Sequence, residues 1–417
     1  MSRVINNLFL RQLTRKRLFM DIKQALPDQL VEFEQQLSDE YQALQAQNLS
    51  LDLTRGKPSS EQLGLSNELD GILANDFQAS DADSRNYGGL RGLLSARQLG
   101  ADLLGADVET TMAAGNSSLS LMYMVQLNQY MYGCRGDASA WKHLKAPKML
   151  CPVPGYDRHF SITENLGIEM VNVTLTEKGP DMDEVERLIR EDDEIIGMWC
   201  VPKYSNPSGT VYSNETVDRI AALGKIANPS FRVMWDNAYA VHDLVAEAPV
   251  LANITERCKI HDTEDSVWQF ASTSKITFAG GGVSFIHSSA DNLVNFEKLL
   301  GTTTIGADKV NQLRTVKFIP DMEAMYQHMQ KHREILAPKF DIVLSCLSKD
   351  LGEDFGNWTT PKGGYFVSLD VAKGLAKAVI ELAAGAGVKL TEAGAPFPYG
   401  KDPDNSNIRI APSFPPT

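Results

Sequence analysis

The amino-acid sequence predicts an α/β protein. It should have a large domain on a mostly parallel β-sheet covered by helices, and a smaller α+β domain formed by both chain ends. Three observations carry this expectation. From about residue 100, apolar strand-length runs alternate with helices of about a dozen residues. The two ends of the chain carry helical stretches that this alternation leaves unpaired. At 417 residues the chain is also too long for a single hydrophobic core.

Residues 1–19 carry Arg3, Arg11, Arg15, Lys16 and Arg17 and no acid, ahead of a second methionine at Met20. That is the composition of an organelle transit peptide, or of an extension before a start at Met20. In either case it stands outside the expected fold. The domains are expected at 20–65 (amino-terminal part of the small domain), 66–324 (large domain) and 325–417 (the rest of the small domain).

Within these bounds, Asp28 to Gln47 reads as a helix with Leu30, Phe33, Leu37, Tyr41 and Leu44 on one face, followed by an extended piece, Leu49–Leu53. Asn116 opens an apolar helical run to Met131. Lys148–Val153, Glu169–Val173 and Ile195–Val201 read as strands, with a helix at Asp181–Asp193 between the last two. Ser213 caps a helix reaching about Ile226, with Glu215 in its first turn. Phe231–Trp235, Val267–Ala271 and Val283–His287 are further strands. Strands and helices so interleaved form βαβ units, whose ligands lie beyond the carboxyl ends of the strands. In the second lobe, Met325–Lys349 and Val371–Ala386 read as helices, Gly364–Leu369 and Asn407–Ala411 as strands. The unpaired amino-terminal helix is expected to pack on this lobe.

Composition excludes several functions. No run approaches the 18 or so apolar residues of a membrane span. The net charge of −13 disfavours a nucleic-acid partner, which needs a basic surface. The five cysteines (Cys134, Cys151, Cys200, Cys258, Cys346) are scattered and odd in number. That is the usage of a reduced, cytoplasmic protein with no disulfide framework and no metal site.

Six features bear on chemistry, and each has a plain structural reading beside it. Ser272-Thr273-Ser274-Lys275 follows an apolar strand: Lys275 is either a surface lysine in a Ser/Thr loop or a desolvated, nucleophilic amine for an aldehyde. The Gly280-Gly281-Gly282 triplet after it permits close backbone approach to a ligand. Asp236, ending the strand Phe231–Trp235, either caps a helix or pairs with a protonated heteroaromatic nitrogen. Asn206-Pro207-Ser208-Gly209 is a turn signal, and the Asn206 amide and Tyr239 hydroxyl are possible donors to a phenolate oxygen. Asn116, Ser117 and Ser118 open a helix, which is an ordinary cap or an anion site. Tyr156, beyond the strand Lys148–Val153, either packs in a core or stacks on an aromatic ring. Arg409, between Ile408 and Ile410, is paired structurally or offers its fork to a carboxylate.

Taken in chain order, from Asn116–Ser118 through Tyr156, the Asn206 turn, Asp236 with Tyr239 and Lys275 to Arg409, these features resemble the fold type I aminotransferases that depend on pyridoxal 5′-phosphate (PLP). The resemblance spans roughly residues 50–411. It implies a seven-stranded large-domain sheet and PLP as cofactor, with Lys275 as its Schiff-base lysine and proton shuttle. It further implies Asp236 on the pyridine nitrogen, Asn206 and Tyr239 on the ring's 3′-oxygen, and Tyr156 stacked on the ring. Asn116, Ser117, Ser118 and Ser272 would hold the phosphate, and Arg409 the substrate α-carboxylate. Gly56, in Thr54-Arg55-Gly56-Lys57-Pro58, matches a loop near that carboxylate. Tyr87, in Asn86-Tyr87-Gly88-Gly89-Leu90-Arg91-Gly92, resembles a tyrosine that reaches the neighbouring subunit's phosphate, which implies a homodimer with shared sites.

The segment Leu51–Pro58, and Ser272–Lys275 followed by Ile276-Thr277, look like the bacterial subclass Ic aspartate aminotransferases. Aspartate and 2-oxoglutarate, going to oxaloacetate and glutamate, are the implied substrates and products. A second cation for the distal carboxylate would come from Lys57, Arg91, Arg158, Lys203, Lys309 or Arg314. Two departures stand out. Relatives usually carry an arginine seven or eight residues after the lysine to neutralise the phosphate, and Ile276–Val283 has none. The chain also ends at Thr417, soon after Arg409, where relatives usually continue with a helix, as a truncated chain would. Rival readings are an aminotransferase for aromatic or other amino acids, a PLP-dependent lyase on the same fold, a scaffold that binds no PLP, or a regulator fused to a DNA-binding domain. The last needs an amino-terminal domain for which this acidic chain has no room before residue 50.

Overall fold

A computed structural model describes residues 25–80, 82–351 and 355–415; the basic extension 1–19 lies outside them. Its strands are β1 (Leu51–Asp52), β2 (Thr111–Ala113), β3 (Lys148–Val153), β4 (Glu169–Thr176), β5 (Gly179–Pro180), β6 (Ile195–Cys200), β7 (Arg232–Asp236), β8 (Val267–Ser272), β9 (Ser284–His287), β10 (Gly356–Trp358), β11 (Val367–Val371), β12 (Val388–Lys389) and β13 (Asn407–Ile410).

The large sheet has eight strands in the order β2-β9-β8-β7-β6-β3-β4-β5. The eighth, β5, is a two-residue piece folded back on the end of β4. The central strands β8, β7, β6, β3 and β4 pair in parallel, and β9 runs against both its neighbours. The sequence explains why these strands are central. β6 reads Ile-Ile-Gly-Met-Trp-Cys and is buried at every position, as a strand covered on both faces must be. Helices Ser118–Met131, Asp157–Asn165 and Ala290–Thr303 contribute to one apolar cluster with the sheet, and helices Met182–Glu191, Asn214–Ala222 and Ile254–His261 to another. Starts are set locally: the Ser213 hydroxyl accepts from the Thr216 N–H at 3.1 Å and begins the helix where the sequence places it.

The amino-terminal end joins one of two small sheets, and the carboxyl-terminal part of the chain builds the rest of both. Leu51 and Asp52 of β1 pair with Val388 and Lys389 of β12, and β10, β11 and β13 form an antiparallel trio. The amino-terminal helix, Pro27–Gln45, lies on this part of the chain, where the Tyr41 hydroxyl donates to the Leu382 carbonyl at 3.0 Å. One expected helix is shorter than read. Val371 ends β11, Gly374 takes a left-handed turn (φ +87°), and the helix starts only at Ala376.

Candidate active site

The strands β2, β3, β6, β7 and β8 run in one direction, so the residues following each arrive at one edge of the sheet. They carry Asn116–Ser118, Tyr156, Asn206, Asp236 and Lys275 respectively.

Asp236 closes β7 and is 2% exposed. Its Oδ2 lies 2.9 Å from His159 Nε2, and its Oδ1 is buried without a partner. A buried carboxylate oxygen left open in this way is costly unless something donates to it, so it marks a place for a protonated ligand nitrogen. His159 is held in turn by stacking on Trp199, with centroids 4.0 Å apart and planes 3° apart. Tyr156 meets the His159 ring edge-on at 4.9 Å. Burial pushes the Tyr156 phenol up to about 12, partly offset by the charge of Lys275. The Tyr239 phenol is raised further, by burial and then by Asp236.

The Lys275 amine lies 4.5 Å from the centroid of the Tyr239 ring. Its peptide is fixed from behind. The Tyr365 hydroxyl donates to the Lys275 carbonyl at 3.1 Å, and His242 Nε2 lies 3.3 Å from the same oxygen. Burial and then the Lys275 charge hold His242 well below the ordinary histidine range, so it faces that carbonyl as a neutral ring.

At the foot of the glycine triplet, Asn116 Nδ2 donates to the Gly280 carbonyl at 3.2 Å, and the Ser274 hydroxyl donates to the Asn116 carbonyl at 2.9 Å. The Ser117 hydroxyl caps the helix Ser118–Met131 through the Ser120 N–H. Ser272 sits opposite Ser284 in the register of β8 and β9. Arg314 lies against the triplet, with Nη2 3.8 Å from where a Cβ on Gly281 would be.

Arg409 is 6% exposed and lies 5.1 Å from the Phe366 ring centroid. Its Nη1 donates to Asp157 Oδ1 at 3.0 Å and to Asn206 Oδ1 at 3.3 Å, and its Nε to Thr391 Oγ1 at 3.3 Å. Gly56 belongs here as well. A Cβ on it would fall 2.5 Å from Phe366 Cζ, so only glycine lets this loop pass beneath the ring that carries Arg409. Tyr87 is 85% exposed, and among the described residues no side-chain hydrogen bond or ring contact joins it to the site.

Most candidate cations for a distal carboxylate are already engaged. Arg91 pairs with Glu297, Lys203 with Asp243, and Lys309 donates to the Asn86 carbonyl. Lys57 lies 3.7 Å from Asp52 and over the Phe414 ring, and Arg158 lies 3.9 Å from Asp157. Arg314 Nη2 donates to Asn311, and its Nε is buried without a partner.

Sequence reasoning did not single out His159, Asp157, His242, Tyr365 or Phe366. The available signal was position: Asp157 and His159 share a helical turn with Tyr156 directly after a strand end.

A mixed sheet of this order, parallel at its centre, with a lysine beyond β8 and a buried aspartate ending β7, is the large domain of a fold type I enzyme. The chain belongs to the aspartate aminotransferase family, whose sequence profile matches residues 25–417. It is 46% identical over 387 residues to an aspartate aminotransferase of Corynebacterium glutamicum, covering 92% of this chain and 89% of that protein. A crystal structure of an aspartate transaminase from the same species superposes with a TM-score of 0.90 at 45% identity, covering 94% of this chain and 92% of that one. The α-aminoadipate aminotransferase LysN of Thermus thermophilus, solved with N-(5′-phosphopyridoxyl)-L-leucine, shares the fold at a TM-score of 0.71 and 19% identity. The family implies PLP. The open Asp236 Oδ1, the rigidly held Lys275 and the anion-competent start of the helix Ser118–Met131 fit that cofactor.

Proposed function

We propose that this chain transfers the amino group of aspartate to 2-oxoglutarate, giving oxaloacetate and glutamate, with PLP bound at the edge described above. The observation that carries the reading is one juxtaposition: an amine at Lys275, 4.5 Å over the Tyr239 ring, beside a buried aspartate with one unsatisfied oxygen. When bound, PLP supplies an aldehyde for amine exchange and a ring that withdraws electrons from the substrate Cα.

The chain's own groups do the rest. Asp236, steadied by His159, accepts the hydrogen bond of the ring nitrogen and keeps it protonated. Tyr156 covers the ring face. Asn206 and Tyr239 donate at the 3′-oxygen. Asn116, Ser117, Ser118 and Ser272 hold the phosphate, with Arg314 beside the neighbouring triplet. Lys275 carries the cofactor and, once free, moves the proton at the substrate Cα. Arg409 holds the α-carboxylate over the loop at Gly56. Tyr87, exposed in the single chain, reaches the phosphate of a second copy in a cytoplasmic homodimer.

Aspartate is favoured by the family and by the relative of that name. The test compares kcat/KM for aspartate, tyrosine and leucine with 2-oxoglutarate as acceptor. Aspartate should lead by about tenfold or more, the scale of one charge-assisted contact. A tenfold lead for tyrosine or leucine overturns the substrate and leaves the transaminase.

A further inference from the structure

Arg409 already has a carboxylate on it. Asp157, the first residue of the helix Asp157–Asn165, places Oδ1 3.0 Å from Arg409 Nη1, while its Oδ2 faces Arg158 Nε at 3.9 Å. Arg409 is almost wholly buried, and Arg158 is 45% exposed. The Asp157 backbone is fixed by the start of the helix, where its carbonyl accepts from the Ser161 hydroxyl at 3.0 Å. The remaining freedom is rotation of a short side chain between a buried and an exposed arginine. Arg409 Nη2 has no hydrogen bond among the described residues, so a second carboxylate can approach that edge. To be gripped by both terminal nitrogens, it must take Nη1 from Asp157.

We propose that Asp157 is an internal stand-in for the substrate carboxylate: it occupies Arg409 in the free enzyme and is displaced toward Arg158 when an amino acid or oxo acid binds. This rests on the reading of Arg409 as the α-carboxylate's partner. The stand-in keeps a buried guanidinium from being left without a counter-charge between turnovers. It also weakens every substrate by the same competition, because only the fraction of enzyme with Arg409 released is ready to bind. Asp157 is thus a positioning residue that acts through Arg409 and sets KM, with no part in the proton transfers at Lys275.

The experiment uses the holoenzyme and Asp157→Asn, which keeps the side chain's shape and removes its charge. KM and kcat are measured for aspartate and 2-oxoglutarate, and Kd for succinate, a dicarboxylate without an amino group, from the cofactor's absorbance. The variant should lower KM and the succinate Kd by about fivefold to tenfold, the size of one charged competitor removed, with kcat within about twofold. Unchanged or raised KM and Kd overturn the proposal. Asp157→Ser repeats the test without an amide, and thermal melts and PLP content establish that each variant is folded. In an Arg409→Ala background, Asp157→Asn should change neither constant; a fall there overturns the proposal, because Asp157 would then act elsewhere. If Arg409→Ala alone leaves KM and Kd at wild-type values, the reading of Arg409 is what fails.

Discussion

At the scale of single residues, Lys275 and Asp236 make separable demands. In the proposed reading Lys275→Ala removes both the attachment point and the proton carrier, so transamination should fall by about three orders of magnitude or more with the fold intact. Borohydride reduction of the wild-type holoenzyme followed by peptide mapping should place the pyridoxyl group on Lys275; a label on another lysine overturns the assignment. Asp236→Ala should keep PLP stoichiometry near wild type and lose about a hundredfold or more in turnover, since an unprotonated ring is a weak electron sink. Strand ends made these two residues legible in the sequence. His159 was not legible, because its contact with Asp236 spans 77 positions and depends on β3 and β7 lying in one sheet with β6 between them. Pairing across a parallel sheet leaves no local trace in a chain.

At the scale of elements, apolar runs gave the interior strands almost residue for residue, because burial on both faces forces continuous hydrophobicity. The pieces that escaped notice are short or polar, such as β2, β5 and β10, where pairing partners decide and composition does not. The reversed direction of β9 was equally hidden, since an apolar run reads the same either way. Gly56 shows how one position can couple two elements. Gly56→Ala drives a methyl group into Phe366, which also carries Arg409. Overpacking of this kind should cost about 1–3 kcal/mol in stability. KM for both substrates should rise more than kcat falls. Thermal melts and steady-state kinetics check the two parts, and an unchanged KM would show that the Phe366 ring can move without Arg409.

At the scale of the whole molecule, three distant segments converge behind the lysine. Gln62, near the amino-terminal end, places Nε2 3.1 Å from both His332 Nδ1 and the Tyr365 hydroxyl. His332 Nε2 lies 3.1 Å from His328 Nε2, which is 2.8 Å from the Ile276 carbonyl, next to Lys275. Both histidines project from the long helix Met322–Cys346. Burial, and then the neighbouring His328, push His332 down to about 4; burial likewise lowers His328. In the unfolded chain each titrates near about 6.5. Between these values the unfolded chain binds protons that the folded chain refuses, so stability is full above about pH 6.5 and falls as pH drops toward 4. The slope of Tm against pH in that window should therefore be shallower in His332→Gln than in wild type, corresponding to a smaller loss of stability, by on the order of 2 kcal/mol, at the acid end. Carboxylates that lose their partners in acid contribute equally to both proteins and cancel in the difference. Identical slopes would mean that the histidine pair is not what couples the amino-terminal segment, the long helix and the lysine loop to pH.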